Sequence, residues 1–194
     1  MNKDLTTASY DEWVQFVFDH PVVDPLIETA WHWKIEYEID PLKALTFCTR
    51  LFNESGSLLK SFDEAKLEQG FWFIPGPNGF MRFLFDASLP IGLRVECVNS
   101  IKNLYMKLFS FTSLGSACFM WWDSFITYGA YDNKTISNDG AIATATVQVL
   151  GQILKMPSKH CQDSALHGIQ HLMKVSDSTH QIVLAHLGNV KGIE

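Results

Sequence analysis

The sequence predicts an all-α protein, and three observations carry that prediction. Apolar residues recur at helical spacing through most of the 194 residues. Ser, Asp and Pro signals open these runs at intervals. No two stretches of clean apolar–polar alternation offer themselves as a strand pair. The length and the apolar share of 47% suit one all-helical domain over residues 1–194, with eight or so helices joined by short polar turns.

Taken in order, Ser9-Tyr-Asp-Glu12 has the spacing of a capping box, with Trp13, Phe16 and Val17 following and His20-Pro21 as the stop. Pro25 permits a second helix through Leu26, Ile27 and Ala30 that runs as far as Tyr37. Asp40-Pro41 places a carboxylate N-cap before a proline whose missing N–H costs nothing at the first helical position. The helix it opens carries Ala44, Leu45, Phe47, Cys48, Leu51 and Phe52 on one face. Asn53–Ser57 reads as a loop and Ser61-Phe-Asp-Glu64 as a second capping box. Pro75-Gly-Pro-Asn-Gly79 is the strongest break in the chain. Phe80–Phe85 suits either a short strand or a helical turn. A long amphipathic helix follows from Pro90 to Phe109, with Glu96, Asn99, Ser100, Asn103 and Lys107 on its polar side. Ser113–Tyr128 is a nearly all-apolar helix, expected at the centre of the fold. Gly129–Gly140 is the longest polar loop. Asn138 is the expected cap of the next helix, which buries Ile142, Val149, Leu150 and Ile153. Met156-Pro157-Ser158 turns the chain into its most regular amphipathic segment, and a last helix covers Thr179–Leu187.

That regular segment is Cys161–Lys174. At 100° per residue, Cys161, Ala165, Leu166, Gly168, Ile169, Leu172 and Met173 fall in an arc of roughly 160°. His160, Ser164, His167 and His171 form a narrow stripe almost opposite. The arc is the expected packing face, with Leu172 and Ile169 buried, and the stripe is the expected partner surface. One of His167 and His171 should be at least half buried and bonded to a neighbouring helix, while His160, near the N-terminus of the helix, stays more exposed.

The phrase Ser164-Ala-Leu-His-Gly-Ile-Gln-His-Leu172 resembles one found in HEAT-like bacterial proteins of unassigned role. It covers about a tenth of the chain. Ile101-Lys-Asn-Leu104 faintly echoes Ile169-Gln-His-Leu172. The resemblance implies a HEAT/armadillo-type α–α superhelix of stacked antiparallel helix pairs. It further implies a curved scaffold that binds a partner, usually protein, without chemistry of its own, and it supplies no catalytic residues.

Composition and motifs narrow the function in the same direction. Net charge is −6: residues 1–97 hold eight Lys/Arg against fifteen Asp/Glu, and residues 98–194 hold seven against six. No basic stripe is present to neutralise phosphates, so nucleic acid is not an expected partner. Cys48, Cys97, Cys118 and Cys161 are dispersed among apolar residues, as small buried hydrophobes of a reducing compartment would be. With no apolar leader and no span-length apolar run, the expected location is the cytoplasm, away from membranes.

Asp163, Ser164 and His167 have the residue types of a hydrolytic triad. Side by side on one regular helix, they cannot stack base behind nucleophile. His167 and His171 have the i, i+4 spacing of a helical metal site, but Gly168 stands where a His-Glu-x-x-His motif places its general base. His160 lies about 10 Å along the axis from His167, too far to share one ion. A metal would need a ligand from another helix. The expectations are therefore no catalytic residues, no cofactor, no metal, and a non-enzymatic protein-interaction scaffold. The alternative is an enzyme, or a small-ligand or metal-binding domain, whose site gathers several helices around His167 and His171.

Overall fold

The computed structural model describes residues 2–23, 34–128, 139–175, 180–181 and 183–185. The described chain is mostly helical. Its α-helices are α1 (Tyr10–Phe18), α2 (Pro41–Glu54), α3 (Glu64–Phe73), α4 (Ile91–Leu104), α5 (Ala117–Tyr128), α6 (Gly140–Ile153) and α7 (Lys159–Val175). Short strands β1 (Asn2–Asp4) and β2 (Glu36–Glu38) pair in parallel, Lys3 opposite Tyr37. Among the described residues, no helix is long and apolar enough to cross a membrane.

The caps explain where the helices begin. Ser9 and Glu12 exchange the two bonds of a capping box at α1. The Asp40 carboxylate accepts from Lys43 N at 2.8 Å, with Pro41 at the first helical position of α2. At α3 the expected cap, Ser61, is displaced by Asp63, whose carboxylate accepts from Lys66 N at 2.9 Å. Ser61 N–H is engaged instead in closing a 3-10 turn on Leu58 O. That turn, Ser55–Lys60, continues α2 through the stretch expected to be a loop. Asp139, adjacent to the expected cap Asn138, caps α6 at Ile142 N. Asn138 itself lies outside the described residues, as do most of the 129–140 loop and much of the expected last helix.

The expected second helix falls largely on residues 24–33, also outside the described set, and its expected end is a strand. Glu36-Tyr-Glu38 has no apolar repeat to bury on a helical face. Tyr37 alone turns inward, against Phe16, Phe73 and Phe80, and donates its hydroxyl to Asn78 O at 2.6 Å. The extended backbone also delivers Asp40 in the β-region conformation that its cap requires. Phe80–Phe85 forms a 3-10 helix rather than a strand.

Packing follows an alternating rule. α2 lies against α4 and α4 against α6; α1 lies against α3, α3 against α5, and α5 against α7. α6 also packs on α7. The buried side chains form one continuous apolar cluster that includes Trp13, Trp121, Trp122 and Phe109. Ser100, expected on the polar side of α4, is buried and bonds back to Cys97 O at 2.6 Å.

Two irregularities position the α5–α7 pair. α4 runs on into a π-helical turn, Tyr105–Phe109, closed by Ser110 N donating to Tyr105 O at 2.8 Å. Leu114 and Gly115 then both adopt positive φ, 45° and 57°, so α5 cannot start at Ser113 and begins at Ala117. Glu68 of α3 receives Ser116 N at 3.1 Å beside this turn. A side chain at Gly115 would collide with that carboxylate.

Candidate metal centre

The buried face of α7 is narrower than its apolar arc and turned away from the arc's centre. Cys161, Ser164, Ala165, Gly168 and Leu172 face the core, with Ser164 fully buried. Leu166 and Met173, assigned by sequence to the packing face, are 50% and 37% exposed, and Ile169 is only partly buried. The helix is thus rotated by about 70° relative to the expected orientation, toward the histidine side. Small residues cause the rotation, because they let α7 approach closely. A Cβ added at Gly168 would lie 2.7 Å from Trp122 Cγ and 2.9 Å from Leu150 Cδ2.

Rotation breaks the stripe into separate roles. His160, expected to be the most exposed, is partly buried, and its Nε2 bonds to Phe109 O, a carbonyl of the π turn. Ser164 joins the core: its hydroxyl donates to Cys118 O at 2.6 Å and lies 2.7 Å from the Tyr105 hydroxyl. It is therefore not part of a surface. His167 and His171 stay at the rim of the α5–α7 seam, partly exposed.

At that rim Asp123 of α5 meets the histidine pair. His171 Nε2 stands 3.2 Å from Asp123 Oδ1 and 3.2 Å from His167 Nε2. All three ligand atoms lie within 4.8 Å of one another. The side chains of His171 and Asp123 are 24% and 29% exposed, so the cluster has a solvent-facing side. The imidazole planes are nearly perpendicular, at 79°. Phe119, one turn before Asp123, stacks on His167 at 4.4 Å and holds its ring. Burial, and then the neighbouring His171, hold His167 below the usual imidazole range, which favours the neutral ring that a metal requires.

Two of the three spacings are those of a ligand shell. Tetrahedral ions with bonds of about 2.0–2.1 Å keep neighbouring donor atoms about 3.3 Å apart. The two observed edges match that value to about a tenth of an ångström. Two imidazoles and one carboxylate suit zinc and its transition-metal neighbours and are a poor set for calcium or magnesium. The carboxylate that sequence reading could not supply comes from a helix some forty residues upstream. Its only signal there is an acid, Asp123, inside the otherwise apolar run Trp121-Trp-Asp-Ser-Phe125.

The other chemistry-bearing groups stand apart. Asp163 pairs with Lys159 at 2.5 Å, and Ser164 is sealed in the core, so no triad assembles with His167. A groove of about 660 Å³ runs along α1, between Lys3 and Ile35, and none of the three histidines lines it. Comparison with known protein families, with curated proteins and with solved structures finds no match to this chain.

Proposed function

We propose that this protein binds one divalent transition-metal ion of the zinc class between α5 and α7, through Asp123 Oδ1, His167 Nε2 and His171 Nε2. One observation carries the reading: a carboxylate from a second helix converges on an i, i+4 histidine pair at ligand-shell spacing. Three protein ligands on a partly exposed rim leave a coordination position to solvent. This is the pattern of sites that activate water or receive an exogenous donor. The ion would also tie α5 to α7.

Zinc titrated calorimetrically into the full chain should bind one ion per chain. Asp123→Asn and His171→Gln should each weaken binding by more than the roughly 10–100-fold typical of outer-shell changes. At a free concentration of a hundred times Kd, zinc should add about 2.7 kcal/mol of stability, read as a rise in melting temperature that chelator reverses. Absence of both heat and shift would remove the metal reading, as would an equal loss in His160→Ala.

A second reading, the interaction scaffold, draws on the alternation in which α2, α4 and α6 follow one another while α1, α3, α5 and α7 do the same. That is the order in which HEAT/armadillo-type superhelices stack, and their partners are usually proteins. The two readings are compatible: a scaffold can hold a metal at one of its seams.

A further inference from the structure

We propose that the groove along α1 docks an extended peptide segment with basic residues, which adds as a third strand to the free edge of β1. The groove shares no residue with the Asp123–His167–His171 cluster. The docking stands on a strand edge and a groove, and needs neither the metal nor the superhelical stacking.

The groove holds about 660 Å³ between two walls. One wall is α1, with Asp11, Gln15, Phe16 and, at the end of the helix, Asp19. The other is β1 and the turn after it, with Lys3, Asp4 and Leu5. None of Glu36–Glu38 lines it, so the groove lies on the side of β1 away from β2. That side is an open sheet edge, because among the described residues the sheet has two strands. Leu5 N donates to Glu38 O at 2.8 Å, and Lys3 stands opposite Tyr37. Alternation along the strand then turns the Asp4 N–H and C=O away from β2. An unpaired edge of this kind is a template for one more strand.

Length and chemistry describe the occupant. Asp11 and Asp19 are eight residues apart on α1 and its cap, so that wall runs for roughly 12 Å. At about 3.3 Å per residue it takes about four residues of extended chain. Leu5, Ala8, Phe16 and Ile35 give the groove apolar surface for every second side chain of such a strand.

Charge selects what the other face of the strand carries. Asp4, Asp11, Glu12 and Asp19 line the groove with one lysine, Lys3. Lys66 already holds Asp19 at 2.6 Å, and Lys43 reaches Thr6 O beside Asp4. Bonds accepted from Thr6 and Ser9 hold Asp4 and Glu12 below the usual carboxylate range, so both stay charged. Asp11 is exposed, and among the described residues no lysine or arginine pairs with it. A carboxylate rim over apolar surface matches a strand of alternating apolar and basic side chains.

The test titrates the full chain into the pentapeptide Val-Lys-Val-Lys-Val, labelled with an uncharged dye and followed by fluorescence anisotropy. One peptide should bind per chain with a Kd of about 1 mM or tighter. Replacing both peptide lysines by glutamate should weaken binding at least tenfold. Asp11→Lys should do the same, while Asp163→Lys, the same charge change on α7, should leave it within threefold. Peptide N-methylation shows whether a strand forms. Successive amides of a strand point to opposite sides, so methylating the lysine amides or the valine amides should cost at least tenfold in one case and less than threefold in the other. Equal effects of the two methylations would overturn the proposal, as would unchanged affinity in Asp11→Lys. Absence of saturable binding would overturn it too. So would displacement of the peptide by an equal concentration of 1,5-diaminopentane, which has the same two charges and no backbone to pair.

Discussion

The seam between α2 and α4 and the seam between α5 and α7 are built by the same rule and filled differently. In the first, α2 buries Leu45, Leu51 and Phe52 beside Ala44 and Cys48, α4 buries Val98, Ile101 and Leu104 beside Cys97, and an amide pair ties the two helices, Asn103 Nδ2 to Asn53 Oδ1 at 2.6 Å. In the second, bulk comes from Trp121 and Trp122 on α5, while α7 contributes Cys161, Ser164, Ala165 and Gly168. A seam filled mainly by large apolar side chains excludes water and gathers few polar groups. A seam of small ones brings backbones close, strands polar groups inside, and makes those groups find one another: Ser164 with Tyr105 and Cys118, Asp123 with His171. Every reactive constellation described above lies on the second kind of seam.

The sharpest way to break this contrast is to remove bulk where the small-residue seam still depends on it. Leu172 is fully buried on α7. Leu172→Ala should cost about 2–5 kcal/mol, measured by urea unfolding with chelator present. A loss under about 1 kcal/mol would mean that the seam can collapse into the space, and that close approach is not already at its limit.

Next comes the glycine that sets the approach. Gly168→Ala improves helix propensity by about 1 kcal/mol. Its new methyl, however, meets Trp122 Cγ and Cβ at 2.7 and 2.9 Å, atoms next to the backbone that cannot swing away. Overpacking should win, with a net loss of about 1–3 kcal/mol and weaker zinc binding as α5 and α7 are forced apart. Gly92→Ala on α4, where nothing lies within 4 Å of the new atom, should show no loss. Equal behaviour of the two variants would erase the distinction between the seams.

How far the sequence foretold this depends on which kind of seam is in question. The α2 face was legible almost throughout: Asp40-Pro41 announced its start, and of the six residues expected on it Ala44, Leu45, Cys48, Leu51 and Phe52 are buried while Phe47 is partly buried at its edge. Apolar periodicity works there because the residues that pack are the ones that are hydrophobic. On α7 the same reading placed Leu166 and Met173 inside and Ser164 outside, since it weighs hydrophobicity and not the closeness that a serine or a glycine permits. The histidine pair was visible from its spacing, and so was the need for a ligand from another helix. Which residue supplies that ligand depends on tertiary packing that no local pattern encodes. The β1–β2 pair was hidden for a different reason: three residues per strand carry no periodicity, and the partners are more than thirty residues apart.

The smallest expected effect concerns acid, and it separates the seams by what can titrate. On the α2–α4 seam the cysteine thiols are pushed up by burial and stay protonated through neutral pH. On the α5–α7 seam His167 is held below the ordinary imidazole value of 6.5, first by desolvation and then by His171, while Asp123 acts in the opposite direction. The unfolded chain therefore binds the His167 proton at a higher pH than the folded chain does. Stability rises with pH wherever the unfolded state carries more protons, so the His167 contribution is present above about pH 6.5 and is lost as pH falls through the folded-state value. The ring is partly exposed at the rim, so the effect is a modest slope rather than a transition. With metal chelated, the urea midpoint of the wild type should fall more between pH 7.5 and 5.5 than that of His167→Gln. The two variants should converge at the acid end, where the wild-type ring is charged. Parallel curves would show that His167 meets the same surroundings folded and unfolded. The imidazole would then lie in open water instead of against Phe119 and His171, and the ligand geometry of the rim would fall with it.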